Sequence, residues 1–469
     1  MARGQIDLTD ESRSPIRNIL WLAWPLFLEQ ILATFVSFAD TAMVGSLGVE
    51  ATASVSISNS FVFLLNGAMT ALGTGLTAYV ARSVGAKDYE AARDYIRHSL
   101  ILLVMVGLPL EIVMVSLHRH IPMWMGAEPE ILDTAAEYLL ITSSCRLFQM
   151  AIMVLGSVFR GRGDTKTPLR INTAVNLLNV AGNYLLIYPT HEVHLFRLAF
   201  TIPGAGMGVA GAALSTGLSW VLGGTALAVM LFTKNDPSRI SFRDSFRPDM
   251  PLIGRVVKLS VPAMLERVSM SLSGIFVMRC IASLGTVAIA SNSVCSTVES
   301  ISYMPAFAFA VSATTLVGQS LGGRKPDLAI RYTHLTNRVG AFLMTGAGIC
   351  LYVFARPLCS VITPDEEAIA LAVECLHVVA FVQPIQTVAW IYAGALRGAG
   401  DTRYPFYITT VCNWGIRVLG AVLCIVVFGL GLPWAVFCMC LDNLGRFILT
   451  GLRFRSGKWK TAIAEEKEA

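Results

Sequence analysis

Charge is what this chain has least of. Asp, Glu, Lys and Arg make up 14% of its 469 residues, against about 25% in an ordinary soluble domain. With 54% hydrophobic residues and a mean hydropathy of +0.62, the chain reads as an integral membrane protein. Other absences narrow its chemistry. No G-x-x-x-x-G-K-[ST] loop is there to cradle phosphates, and no folded domain stands outside the apolar runs, so an ATP-driven machine has no engine within it. HExxH and paired His on one span are also missing, so a membrane-embedded metalloenzyme would lack its metal cluster. No enzyme, no cofactor and no structural metal are expected. Most of the ten cysteines fall inside apolar runs, scattered and without paired spacing. The lone C-x-C at Cys438 and Cys440 reads as small packing residues. No cleavable signal is evident, because the first apolar run is too long and follows a polar leader, so it is expected to act as an uncleaved anchor. The net charge of +5 calls for no nucleic-acid partner, since the placement of the basic residues accounts for it.

Twelve apolar segments run near 18–46, 50–82, 95–117, 131–159, 168–190, 207–233, 253–283, 287–320, 334–355, 367–396, 404–429 and 432–452. Lys and Arg fall on alternate connections. One side has Arg82, Lys87, Arg93 and Arg97, then Arg160, Arg162 and Lys166, then Lys234, Arg239, Arg243 and Arg247. It continues with Arg324, Lys325 and Arg331, then Arg397 and Arg403, then Arg453, Arg455, Lys458 and Lys460. The opposite side offers only Arg119, Arg197 and Arg356. The positive-inside rule places both termini in the cytoplasm, with the chain in the plasma (inner) membrane.

The polar stretch TKNDPSRISFRDSFRPDMP divides the chain almost equally, which invites a search for a repeat. Subtracting 237 lays Pro262 on Pro25, Glu266 on Glu29, Ser283-Leu284-Gly285 on Ser46-Leu47-Gly48 and Gly322 on Gly85. The same offset lays Arg397-Gly398, Gly400-Asp401-Thr402 and Pro405 on Arg160-Gly161, Gly163-Asp164-Thr165 and Pro168, and Asn413 on Asn176. Six spans per half give both halves one membrane orientation, hence parallel repeats about an axis along the membrane normal with a cavity between them. The expected architecture is an all-α membrane protein of twelve transmembrane helices in two six-helix lobes related by a pseudo-twofold axis. The N-terminal lobe would span 1–234, a cytoplasmic linker 235–252, the C-terminal lobe 253–455 and a cytoplasmic tail 456–469.

The stretch from Asn18 to Gly48 is nearly all apolar yet carries Glu29 and Asp40. A charge at mid-membrane costs about 2.5–3.5 kcal/mol even on the lenient scale. Eleven residues at about 100° each bring the two acids to nearly one helix face, about 16 Å apart, which suggests a wet cavity beside them. The fifth span carries Asn172, Asn176, Asn179 and Asn183 as one polar stripe, read either as a cavity lining or as interhelical hydrogen bonding. Thr216 on the sixth span is placed to join it. FRGRGDTKTP and LRGAGDTRYP sit where the fourth and tenth spans end. Arg there suits the helix dipole and Gly the left-handed cap, while Thr167 is expected to cap the next helix with Pro168 at its first position. Pro25, Pro262, Pro305 and Pro384 each remove a backbone hydrogen bond within a span, as hinges or as packing kinks. Glu299 and Asp442 are further intramembrane acids, expected near an interface or paired with Arg267, Arg279 or Arg417. Arg417 reads as a structural ion-pair partner.

Together WPLFLEQ…FADTAMVGSLG, the GAK and GGR loops, the paired RGxGDT loops, NLLNVAGNYLLIY and GVAGAALST carry a resemblance over nearly the whole length. The sequence resembles the multidrug and toxic compound extrusion (MATE) family of cation-coupled antiporters, in its bacterial DinF-like and NorM-like branches. The resemblance implies two six-helix lobes opening alternately to either side. It also implies a xenobiotic:cation antiporter that expels amphipathic, often cationic drugs against inward H⁺ or Na⁺ flow. Small organic cations or amphipathic drugs and membrane lipid are the expected partners, and the chain is expected to be a monomer. By motif, Asp40 matches the family's cation-site aspartate, a transient Na⁺ site, with Asn179 and Thr216 as its polar partners. Asn183 stands where the DinF-like branch often has a second aspartate and the NorM-like branch an asparagine. Met270 replaces the NorM-like glutamate of the seventh span and Gln383-Pro384 the aspartate of the tenth, so a sodium site in the C-terminal lobe is not expected.

On this reading Asp40 binds a proton or Na⁺ from one side, releases cargo held nearby, and sheds the ion to the other side. Glu29 and its repeat partner Glu266, with Asn172 and Asn176, are candidate substrate or gate residues, the alternative being acids tied to nearby backbone or Arg groups. The rival within transport is a flippase of lipid-linked oligosaccharide or another lipid, for which a basic central cavity would be expected. Acids on the first and seventh spans point instead to cationic cargo.

Overall fold

The computed structural model describes residues 7–195 and 198–461. Twelve membrane-spanning helices build two lobes. The first holds α1 (Pro15–Gly45), α2 (Val49–Gly85), α3 (Tyr89–Ser116), α4, α5 (Lys166–Ile187) and α6 (Gly208–Thr233). The fourth span is a pair, Pro129–Ser143 and Arg146–Gly161, bent by 50°. The second lobe holds α7 (Met250–Ala282), α8 (Thr286–Gly322), α9 (Pro326–Val353), α10 (Glu366–Gly398), α11 (Arg403–Val427) and α12 (Leu432–Arg455). Residues such as Phe342 and Phe381 lie bare on the outside, as expected where lipid rather than water is the solvent.

The offset of 237 extends to backbone conformation. Lys87 and Arg324 both take a left-handed φ, 58° and 57°, and Gly163 and Gly400 take 83° and 91°. The correspondence lapses before the sixth spans, because an antiparallel hairpin of β1 (Pro189–Leu195) and β2 (Leu198–Ala205) joins α5 to α6. This hairpin is the sole sheet among the described residues of an otherwise helical fold, as the all-α reading expects. Its short, mixed segments are too brief for a span and fall between two recognisable ones.

Each lobe lends its first helix to the other. Ile19 and Leu22 of α1 pack with Phe309, Leu316 and Tyr332 of the second lobe. Their repeat partners in α7, Val256 and Leu259, pack into the core of the first. At the end of the molecule that carries both described chain ends, α2 and α8 meet backbone to backbone. A Cβ on Gly85 would collide with the Gln319 carbonyl and one on Gly322 with the Arg82 carbonyl. Gln319 Nε2 also donates to the Gly161 carbonyl (2.9 Å) and Thr315 Oγ1 to the Arg160 carbonyl (3.0 Å). That end is sealed. At the other end residues of α1, α7 and α8 edge an open cleft of about 640 Å³, among them Thr34, Ser37, Met278 and Thr297.

The segment between the lobes is partly built in: Ile240 is buried in the first lobe's core, and the Ser238 carbonyl accepts from Arg162 Nη2 (2.8 Å). The leader is also fixed. Leu8 is 1% exposed, its carbonyl accepts from Tyr332 Oη (2.8 Å), and Lys325 Nζ reaches both the Thr9 carbonyl (3.1 Å) and Glu11 (2.7 Å).

Candidate functional site

Helices α1 and α5 lie side by side and are joined by two acid–amide rungs. Asn172 Nδ2 donates to Glu29 (2.5 Å) and Asn183 Nδ2 to Asp40 (2.6 Å), the same 143 residues apart in each case. The asparagine stripe therefore faces α1. Asn176, between the rungs, is half-buried. Asn179, with its amide turned to suit both neighbours, donates to the two Asp40 oxygens (2.9 and 3.1 Å) and accepts from Thr216 Oγ1 of α6 (3.1 Å). Asp40, Asn179, Asn183 and Thr216 thus form one cluster inside the first lobe. Among the described residues no basic group makes a salt bridge to Asp40, and Asn183 Oδ1 is buried without a partner. A carboxylate held only by neutral donors, beside an unused carbonyl oxygen, is chemically suited to a proton or a small hard cation.

Glu29 takes a different place. It lines a cavity of about 410 Å³ between the lobes, with Asn172 and Glu266, whereas Asp40 does not line it. The single wet face expected for α1 is therefore divided between two environments: one acid looks across the lobe interface, the other into its own lobe. Around the cavity the repeat reappears in the side chains. Glu266 accepts from Arg397 Nη2 (2.7 and 2.9 Å) and from Thr409 Oγ1 (3.1 Å). Glu29 accepts from Asn172 and lies 4.0 Å from Arg160 Nη1, whose Nη2 donates to Ser157 (2.8 Å). Glu29, Asn172 and Arg160 stand at the offset of 237 from Glu266, Thr409 and Arg397. The first triad is the looser one, with Glu29 Oε2 and Asn172 Oδ1 buried and unpartnered.

Arg267 and Arg446 line the same cavity. The inference of cationic cargo from acids on α1 and α7 therefore loses its basis, since four guanidinium groups stand on the wall. Arg160 and Arg397 read as helix-end charges in the sequence, but their stems let the heads reach back into the cavity. In the sequence Arg267 reads only as a partner for other acids, and Arg446 lies beyond the stretch where the offset holds.

Several local expectations change. Asp164 rather than Thr167 caps α5, its Oδ1 accepting from Thr167 N (3.1 Å), and the helix starts at Lys166, two residues ahead of Pro168. Asp164 also pairs with Lys234, and its repeat partner Asp401 with Arg453 (2.8 Å), so each GDT loop ties the start of a fifth span to the end of a sixth. Asp442 pairs with Arg446 one turn along α12, through Nε (2.9 Å) and Nη2 (2.7 Å), rather than with Arg267, Arg279 or Arg417. Arg446 Nη2 also donates to Asn413 (2.7 Å), where α11 widens into a π turn. Arg417 has no salt bridge among the described residues, and its Nε is buried without a partner.

The MatE family model matches this chain twice, over residues 25–185 and 262–423, one copy in each lobe. A probable multidrug resistance protein NorM of Thermotoga maritima is 27% identical over 96% of this chain and 95% of its own length. The uncharacterized transporter YisQ of Bacillus subtilis is 24% identical over 94% of each. The fold superposes on a MOP superfamily transporter from Pyrococcus furiosus with a TM-score of 0.88, at 22% identity over 98% of this chain and 99% of that one. A multidrug resistance MATE family transporter in an outward-facing conformation gives the same TM-score at 21% identity, over 98% and 99%. A twice-matched family model, one match per lobe of a repeat visible in both backbone and side chains, makes this chain a member of the MatE family.

Proposed function

We propose that the chain is a secondary efflux transporter that exchanges H⁺ or Na⁺ for amphipathic compounds by alternating access. The observation that carries the reading is the Asp40 cluster: an acid with neutral donors, no counter-charge and a spare oxygen at Asn183. Such a group takes up and sheds a cation with little rearrangement, where a salt-bridged acid would not. The cavity supplies the second requirement, a cargo site on the lobe interface, with the helix ends packed together on one side of it and a separate cleft between the lobes on the other. With both termini cytoplasmic, the sealed end faces the cytoplasm and the molecule is open outward. The unpartnered oxygens of Glu29 and Asn172 suit a cargo N–H or ammonium donor. The names of the relatives support multidrug cargo.

The test uses purified protein in proteoliposomes with pH and Na⁺ gradients imposed separately, reading movement of a fluorescent amphiphile. One of the two gradients should drive it. Asp40→Asn should reconstitute with unchanged size-exclusion behaviour and lose gradient-driven movement, leaving binding in the cavity. Coupled transport retained by that variant would remove Asp40 from the role.

One observation, the four arginines of the cavity wall, favours the flippase as a second reading. It requires translocation of a pyrophosphate-linked lipid sugar in the same vesicles.

A further inference from the structure

Most of the basic groups on the cavity wall are already answered. Arg397 is held by Glu266 and Arg446 by the two oxygens of Asp442, while Arg160 faces Glu29. Arg267 is the remaining one. It stands near Arg397, Glu266 and Tyr303, but Glu266 is taken up by Arg397 and Thr409. Among the described residues Arg267 makes neither a salt bridge nor a hydrogen bond, and its side chain is exposed on the wall it lines. Its repeat partner is the neutral Gln30, which lines the same cavity. The excess positive charge is therefore confined to one side of an otherwise balanced pseudo-symmetric site. Around it the wall is apolar and aromatic, with Met270, Phe307, Val311 and Trp390. A guanidinium without a bonded partner on the wall of an inter-lobe cavity draws an anion, and its planar fork suits two oxygens on one centre.

We propose that the cargo carries a carboxylate or phosphate group that docks on Arg267, with its apolar body against Met270, Phe307 and Trp390. This rests on the transport reading and adds to it the charge class of the cargo. A compound that also bears an N–H donor would place that group toward Glu29 and Asn172, so the site as a whole fits a zwitterionic or monoanionic amphiphile. A membrane phospholipid and a free organic acid share this chemistry.

The experiment is equilibrium binding to the purified full-length protein, which needs no ion gradient and so stands apart from the coupling test. A dansyl-labelled alkanoate is compared with its carboxamide, alike in size and apolar body. The wild type should bind the carboxylate at least tenfold more tightly. Arg267→Gln, which reproduces the residue at the repeat position, should abolish that preference while leaving carboxamide binding unchanged. Arg267→Lys should restore part of it, which guards against a folding defect. Equal affinities in the wild type, or an undiminished preference in Arg267→Gln, would overturn the proposal. Competition arms separate the sources. Displacement by phosphatidylglycerol but not by short-chain acids assigns a lipid headgroup, and the reverse assigns a free organic acid. Displacement by neither overturns the docking of an anion.

Discussion

Removing either partner of Asp442 and Arg446 leaves the other without a counter-charge, in a place where the two side chains are only 1% and 8% exposed. Breaking a buried pair from one side costs about 3–5 kcal/mol, whereas an apolar pair of similar volume is often tolerated. Asp442→Asn and Arg446→Met should each lower the thermal midpoint of the detergent-solubilised protein markedly. The double variant Asp442→Leu, Arg446→Met should recover most of the loss. A double variant as weak as either single one would place the stability in the Asn413 contact instead. At this scale the acids were easy to see in the sequence and their partners were not. An acid in an apolar run announces itself, and the asparagines of α5 share one face by spacing alone. Arg160 and Arg397, which answer Glu29 and Glu266, sit in the last turns of other spans, and a long flexible stem hides where the charged head comes to rest. Arg160 is the clearest case.

The ends of α2 and α8 touch through glycines that leave no room for a side chain. Gly85→Ala and Gly322→Ala should each push these helix ends apart and open the sealed end. A single cysteine introduced at Thr74, on the cavity wall, in a cysteine-depleted background, reports this. Its labelling by a thiol reagent applied at the sealed end should rise several-fold in either glycine variant, and unchanged labelling would mean the seal lies elsewhere. The repeat made these elements legible, since an apolar period and one constant offset placed α8 and α9 in register with α2 and α3. The hairpin before α6 escaped notice because no counterpart follows α11. α5 starts two residues ahead of the position Pro168 suggests, because a proline fits the first turn at more than one position and Asp164 takes the Thr167 N–H.

Across the whole molecule, the leader crosses the seam between the lobes at the sealed end. Asp7 reaches Lys87 of the first lobe (3.4 Å), and Leu8, Thr9 and Glu11 engage Tyr332 and Lys325 of the second. Burial would raise the Asp7 pKa, yet hydrogen bonds from Thr9 and the Lys87 charge hold it below its ordinary value. A carboxylate with a lowered pKa gives its full contribution at neutral pH and loses it as the pH falls below about 4. Leu8→Asp should loosen this strap at every pH and raise labelling at Thr74 as the glycine variants do. Normal protection in Leu8→Asp would show the leader to be a passenger.

The two rungs between α1 and α5 have a consequence for thermodynamics. Should a ligand at one pin bias the other, that bias runs between two sites on one helix, each bonded to α5. Linkage makes the bias mutual: if an ion weakens the hold on cargo by some factor, cargo must weaken the hold on that ion by the same factor. Two titrations, each with the other ligand present and absent, would have to return one number.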